Sequence, residues 1–238
     1  MLELQNIDVH YGATQVLWDV SITVGAGEMV AVMGPNGSGK STILKAAMGL
    51  KKASAGKVLL DGEDLRGKAA TVRPHRRMSI VLERRRLFPR MSVRENIMLG
   101  AYTRTGAEAR SSFDWVLELL PEIKDHLNAT AGKLSGGQQQ MVAIARGLMA
   151  DPKILLMDEP FLGLSPAMVK NVYAIMKMVN ERGVAILFNE QNAKTSFAMS
   201  HRGYLLEGGR VALSGSGEQM LEHPEVKRVY LGLREEAS

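Results

Sequence analysis

Eight consecutive residues, Gly34-Pro35-Asn36-Gly37-Ser38-Gly39-Lys40-Ser41, follow the pattern G-x-x-x-x-G-K-[ST]. Each residue type has a reason to be there if the loop holds phosphate. Glycines let backbone N–H groups curl around phosphate oxygens where a Cβ would clash. A helix starting at Lys40 points its N-terminus at the same anion. The Lys40 ammonium reaches β- and γ-phosphates, and the Ser41 hydroxyl can ligate Mg²⁺. A second group of residues, Asp158-Glu159-Pro160, closes the apolar run Ile154-Leu155-Leu156-Met157. An acid at the C-terminal end of such a strand can sit beside a phosphate loop, where Asp158 would hold Mg²⁺. Glu159 points to the other side of the strand and could polarise a water in line with a γ-phosphate.

A third segment, Leu134-Ser135-Gly136-Gly137-Gln138-Gln139-Gln140, reads as a helix start capped by Ser135. A helix N-terminus with a serine and two glycines is also a second anion site.

The elements that must position these groups are legible in outline. Leu2, Leu4, Ile7 and Val9 form a first apolar set. Trp18, Val20, Ile22 and Val24 then alternate with Asp19, Ser21 and Thr23, so the opening reads as antiparallel β structure. Met29–Met33 is a continuous apolar run, as in a strand buried on both faces, and it leads into the phosphate loop. A helix follows from Lys40 towards a C-capping Gly49. Lys57–Leu60, Asp61-Gly62 and Glu63–Leu65 suggest a hairpin, and Met78–Leu82 a short strand. From about Pro89 to Met149 the pattern is mostly helical, with breaks expected at Gly106, Pro121 and Gly132. The α/β rhythm returns with strand Ile154–Met157, helix Pro166–Glu181, strand Val184–Phe188 and a final hairpin turning at Gly208-Gly209. The fold class is therefore α/β, with an antiparallel β start and a helical insertion.

Composition bounds the function further. At 45% hydrophobic and 23% charged residues the 238-residue chain can bury a core, so disorder is expected only at Arg234–Ser238. The absence of cysteine excludes disulfides and thiolate metal sites. The N-terminus does not read as a signal peptide, and no apolar stretch approaches the roughly 20 residues that span a bilayer. Action at a membrane would thus require docking onto other chains. The net charge is +5, and basic residues concentrate in Arg73–Arg94, with Arg73, Arg76, Arg77, Arg84, Arg85, Arg86, Arg90 and Arg94. That cluster is either a solvated surface or a face for an acidic partner, lipid or nucleic acid. The fifteen methionines, among them Met141, Met149, Met176 and Met178, read mainly as flexible core filling.

The phosphate loop, the acidic strand end and the Leu134–Gln140 segment, in this order and spacing, resemble the ABC ATPases along nearly the whole chain. The resemblance implies a P-loop NTPase core over residues 1–86 and 150–238, a helical subdomain over 87–149, and hydrolysis of ATP with Mg²⁺. Nucleotide contacts would come from Gly34, Pro35, Asn36, Gly37, Ser38, Gly39, Lys40, Ser41 and Thr42, with Tyr11 stacking on adenine. Tyr11 could alternatively be a core strand aromatic. In the family two cassettes pair head to tail, so Ser135, Gly136, Gly137 and Gln138 would contact the nucleotide of the other subunit. Ser165 stands where the family's D-loop has Asp. Two further departures concern the reacting centre: Glu83 stands where the family has Gln near Mg²⁺, and Gln191 where it has His near the γ-phosphate.

Both departures resemble the ATPase subunits of branched-chain amino-acid and amide importers. So do Arg85-Arg86-Leu87-Phe88-Pro89, Glu190-Gln191-Asn192-Ala193 and the ending Val226–Gly232. That branch implies a second ABC ATPase subunit, two transmembrane permeases, indirectly a solute-binding protein, and a peripheral place at the cytoplasmic face of the membrane. Glu159 as base, Lys40 and Gln191 are the expected catalytic residues, and Ser41, Asp158 and Glu83 the expected metal ligands. The alternatives are a soluble ABC ATPase acting on ribosomes or DNA, and a nucleotide-binding regulator without turnover.

Overall fold

A computed structural model describes residues 1–230, so the expected disorder at Arg234–Ser238 and the last part of the Val226–Gly232 motif lie outside the described residues. The chain opens with strands β1 (Leu2–Tyr11), β2 (Thr14–Val24) and β3 (Met29–Met33), followed by helix α1 (Lys40–Ala47). Next come β4 (Ala55–Leu60), β5 (Glu63–Asp64), a short α2 (Val72–His75) and β6 (Met78–Val81). The helical stretch contains α3 (Val93–Met98), α4 (Gly106–Leu119) and α5 (Gly136–Leu148). Then follow β7 (Ile154–Asp158), α6 (Pro166–Glu181), β8 (Ala185–Asn189), α7 (Ala193–Met199), β9 (Arg202–Glu207), β10 (Arg210–Ser216), α8 (Gly217–Glu222) and α9 (Pro224–Tyr230). The chain divides into two compact units, Met1–Ala70 with the segment from Ala185 onward, and Thr71–Val184.

In the first unit, β2, β1, β4 and β5 form an antiparallel sheet, with Leu2 opposite both Val24 and Leu60. Side chains alternate along a strand, so one extra residue flips the buried set. Asn6, at φ 52°, does this in β1: Leu2 and Leu4 are buried before it, Ile7 and Val9 after it. Asp19, at φ 53°, does the same in β2 and corrects the alternation expected from Trp18 onward. Leu17 points inward, Trp18 is exposed, and Val20, Ile22 and Val24 are buried. The two irregular residues hold each other through Asn6 Nδ2 donating to Asp19 Oδ1 at 2.8 Å. The turn between β4 and β5 uses Asp61 and Gly62, both at positive φ, as a tight hairpin requires.

Fully buried β3 runs parallel to β8 and β9, with Val32 beside both Asn189 and Tyr204. The β9–β10 hairpin turns at Gly208-Gly209 as expected. Only a strand covered on both faces tolerates the unbroken apolar runs Met29–Met33 and Ala185–Phe188.

In the second unit, β6 and β7 pair in parallel, from Met78 beside Ile154 to Val81 beside Met157. Helix α5 buries Met141, Val142, Ala143, Ile144, Ala145 and Leu148. Gly106 does not break a helix but begins α4, because the preceding Thr105 hydroxyl accepts a hydrogen bond from the Glu108 N–H and the Glu108 carboxylate accepts one from the Thr105 N–H. Met141, Met149 and Met176 lie in the core, whereas Met178 is exposed on the outer side of α6. The arginine cluster is not one surface: Arg73 is fully buried and Arg77 is tied to Asp151, while Arg84, Arg86, Arg90 and Arg94 are exposed. No helix among the described residues is long and apolar enough to cross a membrane.

Candidate functional site

Strand β3 ends at Met33 and delivers the phosphate loop to the start of α1. Three of its glycines have positive φ: Gly34 at 150°, Gly37 at 81° and Gly39 at 104°. Space is as tight as the conformation. A Cβ on Gly34 would come within 2.2 Å of the Leu206 carbonyl, and one on Gly39 within 2.5 Å of Leu17 Cδ2. Gly39 is also the N-cap of α1, so no side chain at that position caps the first turn. Lys40 is buried and its Nζ donates to the carbonyls of Gly34 at 2.8 Å and Pro35 at 3.0 Å. The Ser38 hydroxyl is buried in the loop with no hydrogen-bond partner. Buried donors of this kind are normally satisfied, and an anion seated in the loop would satisfy this one. Pro35, Asn36 and Gly37 form the exposed rim, and Thr42 is buried behind them.

Ser41 is half-buried, with Asn189 Nδ2 at 3.4 Å from its hydroxyl. Asn189 is completely buried at the end of β8 and was not singled out from the sequence. Its signal was available: a polar residue directly follows an apolar run that must be a buried strand. Gln191 lies two residues further on, exposed, with its N–H donating to Glu190 Oε2 at 3.1 Å. Tyr11 is exposed at the end of β1 and is not a core aromatic; the Lys51 ammonium sits 4.0 Å from its ring centre.

The second unit carries the acidic groups and the Leu134–Gln140 segment. Asp158 is the last residue of β7 and is buried, while Glu159 follows it half-buried at φ 47°. Because β6 and β7 are parallel and in register, the chain leaves both strands at the same edge, and Glu83 lies there beyond β6. Glu83 Oε1 pairs with Arg84 Nε at 3.3 Å. No group of three or more His, Cys, Asp or Glu residues suited to a metal exists among the described residues. Mg²⁺ does not need one, since it commonly takes one or two carboxylates and fills its other positions with substrate phosphates and water.

Ser135 caps α5 as its sequence suggests. Its hydroxyl accepts from the Gln138 N–H at 3.3 Å, and Gln138 Oε1 accepts from the Ser135 N–H at 3.0 Å. The two glycines serve close packing. A Cβ on Gly136 would lie 3.2 Å from Arg85 Nη2, and one on Gly137 2.9 Å from two atoms of Met168. Arg84, Arg85 and Arg86 all have positive φ, between 48° and 64°. Arg146 of α5 braces this strained segment, donating to the carbonyls of Arg85 and Arg86, each at 2.9 Å. Burial lowers the pKa of the Arg146 guanidinium from its ordinary value. Ser165 caps α6 by accepting from the Met168 N–H at 3.4 Å, a role that needs no acid at that position.

Residues 17–162 match the family model of the ABC transporter. The chain is 38% identical over 232 residues to the high-affinity branched-chain amino acid transport ATP-binding protein BraG of Pseudomonas aeruginosa, covering 98% of this chain and all of that one. It is 34% identical over 233 residues to the lipopolysaccharide export system ATP-binding protein LptB of Escherichia coli, covering 97% of each. Its fold matches a nucleotide-free ATP-binding cassette from an ABC transporter with a TM-score of 0.86, at 26% identity over 98% of this chain and 99% of the other. It also matches a dimeric cassette in a post-hydrolysis state bound to ADP and Pi with a TM-score of 0.81, at 28% identity over 91% and 98% of the two chains. With a phosphate loop, an acidic strand end and a capped glycine-rich helix start on an α/β frame, this chain belongs to the ABC transporter family and is an ATPase of that family.

Proposed function

We propose that this chain energises a membrane importer for branched-chain or other hydrophobic amino acids or amides, through ATP-driven pairing with a second ABC ATPase subunit. The observation that carries the substrate class is the full-length similarity to an ATP-binding protein of branched-chain amino acid transport. The similarity to a lipopolysaccharide export ATP-binding protein supports export as a second reading. In either case the substrate is chosen by other chains.

Lys40 and the loop N–H groups bind the β- and γ-phosphates of ATP, and Tyr11 offers an exposed ring to adenine. Ser41, Asp158 and Glu83 are the residues that would offer oxygen ligands to Mg²⁺, which would neutralise phosphate charge. Glu159 orients a water and accepts its proton as the water oxygen bonds to the γ-phosphorus. The bond from that phosphorus to the β,γ-bridging oxygen breaks, releasing ADP and phosphate. Gln191 donates a hydrogen bond to the γ-phosphate and, unlike histidine, carries no titrating charge. Ser135, Gly136, Gly137 and Gln138 meet the nucleotide of the paired subunit, so ATP joins the two and hydrolysis releases them.

Permease contact is assigned to the second unit. Phe88, Met98, Leu99 and Tyr102 expose large apolar side chains there, which a partner chain could cover. The test is to tag the protein in its native cell, extract the membranes in mild detergent and identify what co-purifies. Two multispanning chains and a second ABC ATPase, with uptake of branched-chain amino acids lost on deletion, are expected. Lipopolysaccharide-exporting partners would establish the second reading, and ribosomes or DNA would overturn both.

A further inference from the structure

The second unit contains a cavity of about 600 Å³ made by none of the residues assigned above to nucleotide, metal or permease. Its wall includes Arg77, Arg104, Lys153 and Arg182, against the carboxylates of Glu108 and Asp151. The pairing of the arginines is uneven. Arg77 takes most of Asp151, with Nη2 at 2.8 Å from Oδ2 and Nε donating to the Asp151 carbonyl at 2.7 Å. Arg104 is left with long contacts, 3.5 Å to Asp151 and 3.7 Å to Glu108, beyond hydrogen-bonding distance. Arg182 is exposed at the rim, its guanidinium 5.3 Å from the ring centre of Trp115.

Two donors of this wall are buried with no acceptor: Arg104 Nε and Trp115 Nε1. An indole N–H and a guanidinium N–H can only donate, so both need a partner that accepts. Buried donors left unpaired are rare because they lose their hydration without return. The volume is that of a small-molecule site. We propose that this cavity binds a small organic or inorganic polyanion through carboxylate or phosphate oxygens, with Arg104 and Trp115 as inner donors and Arg182 at the entrance. Guanidinium groups suit both kinds of oxygen, because their paired N–H groups match the spacing of two acceptors.

The chain has two tryptophans, Trp18 and Trp115, so a Trp18→Phe variant leaves one fluorescent reporter in the cavity wall. A Lys40→Ala change in the same chain removes phosphate binding at the nucleotide loop. Citrate and pyrophosphate are titrated separately at constant ionic strength, with chloride as the control. The expected result is a saturable change in Trp115 emission with at least one of the two, at half-saturation below about 1 mM, a strength ordinary for a site of this kind. Response to citrate alone assigns carboxylates, and to pyrophosphate alone assigns phosphates. Arg104→Gln should weaken the response at least tenfold. Arg182→Ala, at an exposed position, should weaken it severalfold. The proposal is overturned if neither probe saturates, or if the Arg182→Ala protein responds as its parent does. Loss of transport function elsewhere has no bearing on this readout.

Discussion

Helices α1 and α5 both begin where an anion can bind, yet they treat their first turns in opposite ways. The N-cap of α1 is Gly39, which has no side chain to cap the first turn. The N-cap of α5 is Ser135, which together with Gln138 closes a capping box. A helix leaves its first N–H groups without internal partners, so each must find an acceptor outside the backbone ladder. In α1 no N-cap side chain supplies that acceptor, and the Ser38 hydroxyl in the loop before it is buried with no hydrogen-bond partner. In α5 the chain supplies the acceptor itself. The phosphate loop therefore lacks a side-chain cap at its helix start, whereas the Leu134–Gln140 segment completes its own first turn, which suits the proposed encounter with a nucleotide of a paired subunit.

The largest effects should separate binding from turnover along this line. Lys40→Ala removes the buried ammonium that spans the loop carbonyls, and should lower ATP affinity at least tenfold together with hydrolysis. Glu159→Gln keeps the loop intact and should reduce phosphate release by roughly 10²–10⁴-fold, the range for a lost general base, while ATP still binds. Equilibrium binding of a fluorescent ATP analogue and phosphate release with the partner subunit present measure the two. Equal loss of affinity in both variants would erase the distinction.

Sequence alone exposed α1 and its loop more fully than the surroundings of α5. A buried strand, a glycine run and Lys40-Ser41 are contiguous, so the chemistry and its frame lie in one stretch. The capping of α5 by Ser135 was equally readable, because a cap is local. What was not readable depends on residues far apart in the chain. Gly136 and Gly137 need to be small because Arg85 and Met168 press on them, and no spacing rule reveals those neighbours. The bracing of Arg85 and Arg86 by Arg146 is likewise a matter of tertiary approach. Within the first sheet, strict alternation sets Trp18 on the buried face, but Asp19 adds a residue to the strand and leaves Trp18 exposed. A polar residue closing an apolar strand is a generic signal, and only the approach of its side chain to Ser41 marks Asn189.

A middle-sized effect tests the caps directly. Ser135→Ala removes the hydroxyl that accepts from the Gln138 N–H, and an N-cap loss of this kind costs about 1 kcal/mol. For a chain of this size that lowers the melting temperature by about 2–4 °C. The rise in melting temperature on adding ATP should persist, because it reports the phosphate loop; at 100-fold excess over Kd it corresponds to about 2.7 kcal/mol. Thermal melts with and without ATP decide this. If Ser135→Ala abolished the ATP-induced rise in a monomer, the two helix starts would not be independent.

The smallest effect concerns pH and distinguishes α5 from its neighbours. Helices α3 and α4 close their capping boxes with Glu95 and Glu108, whereas α5 uses the uncharged Gln138. Hydrogen bonds from the Ser92 backbone and hydroxyl hold the Glu95 pKa below its ordinary 4.5, and those from Thr105 do the same for Glu108. A carboxylate with a depressed folded pKa contributes stability that is present above 4.5, its ordinary value, and is lost as pH falls through the lower folded value. Acidification below 4.5 should thus loosen the starts of α3 and α4 while leaving that of α5 capped. Hydrogen exchange of the first-turn amides across this range reads each helix separately. Because both carboxylates are exposed, the change in exchange should be modest, and substitution of Glu95 and Glu108 by Gln should remove it. Acid-induced exchange at Gln138 and Gln139 matching that at Glu95 would mean that the chain opens there as a whole, and that the cap chemistry does not set the order.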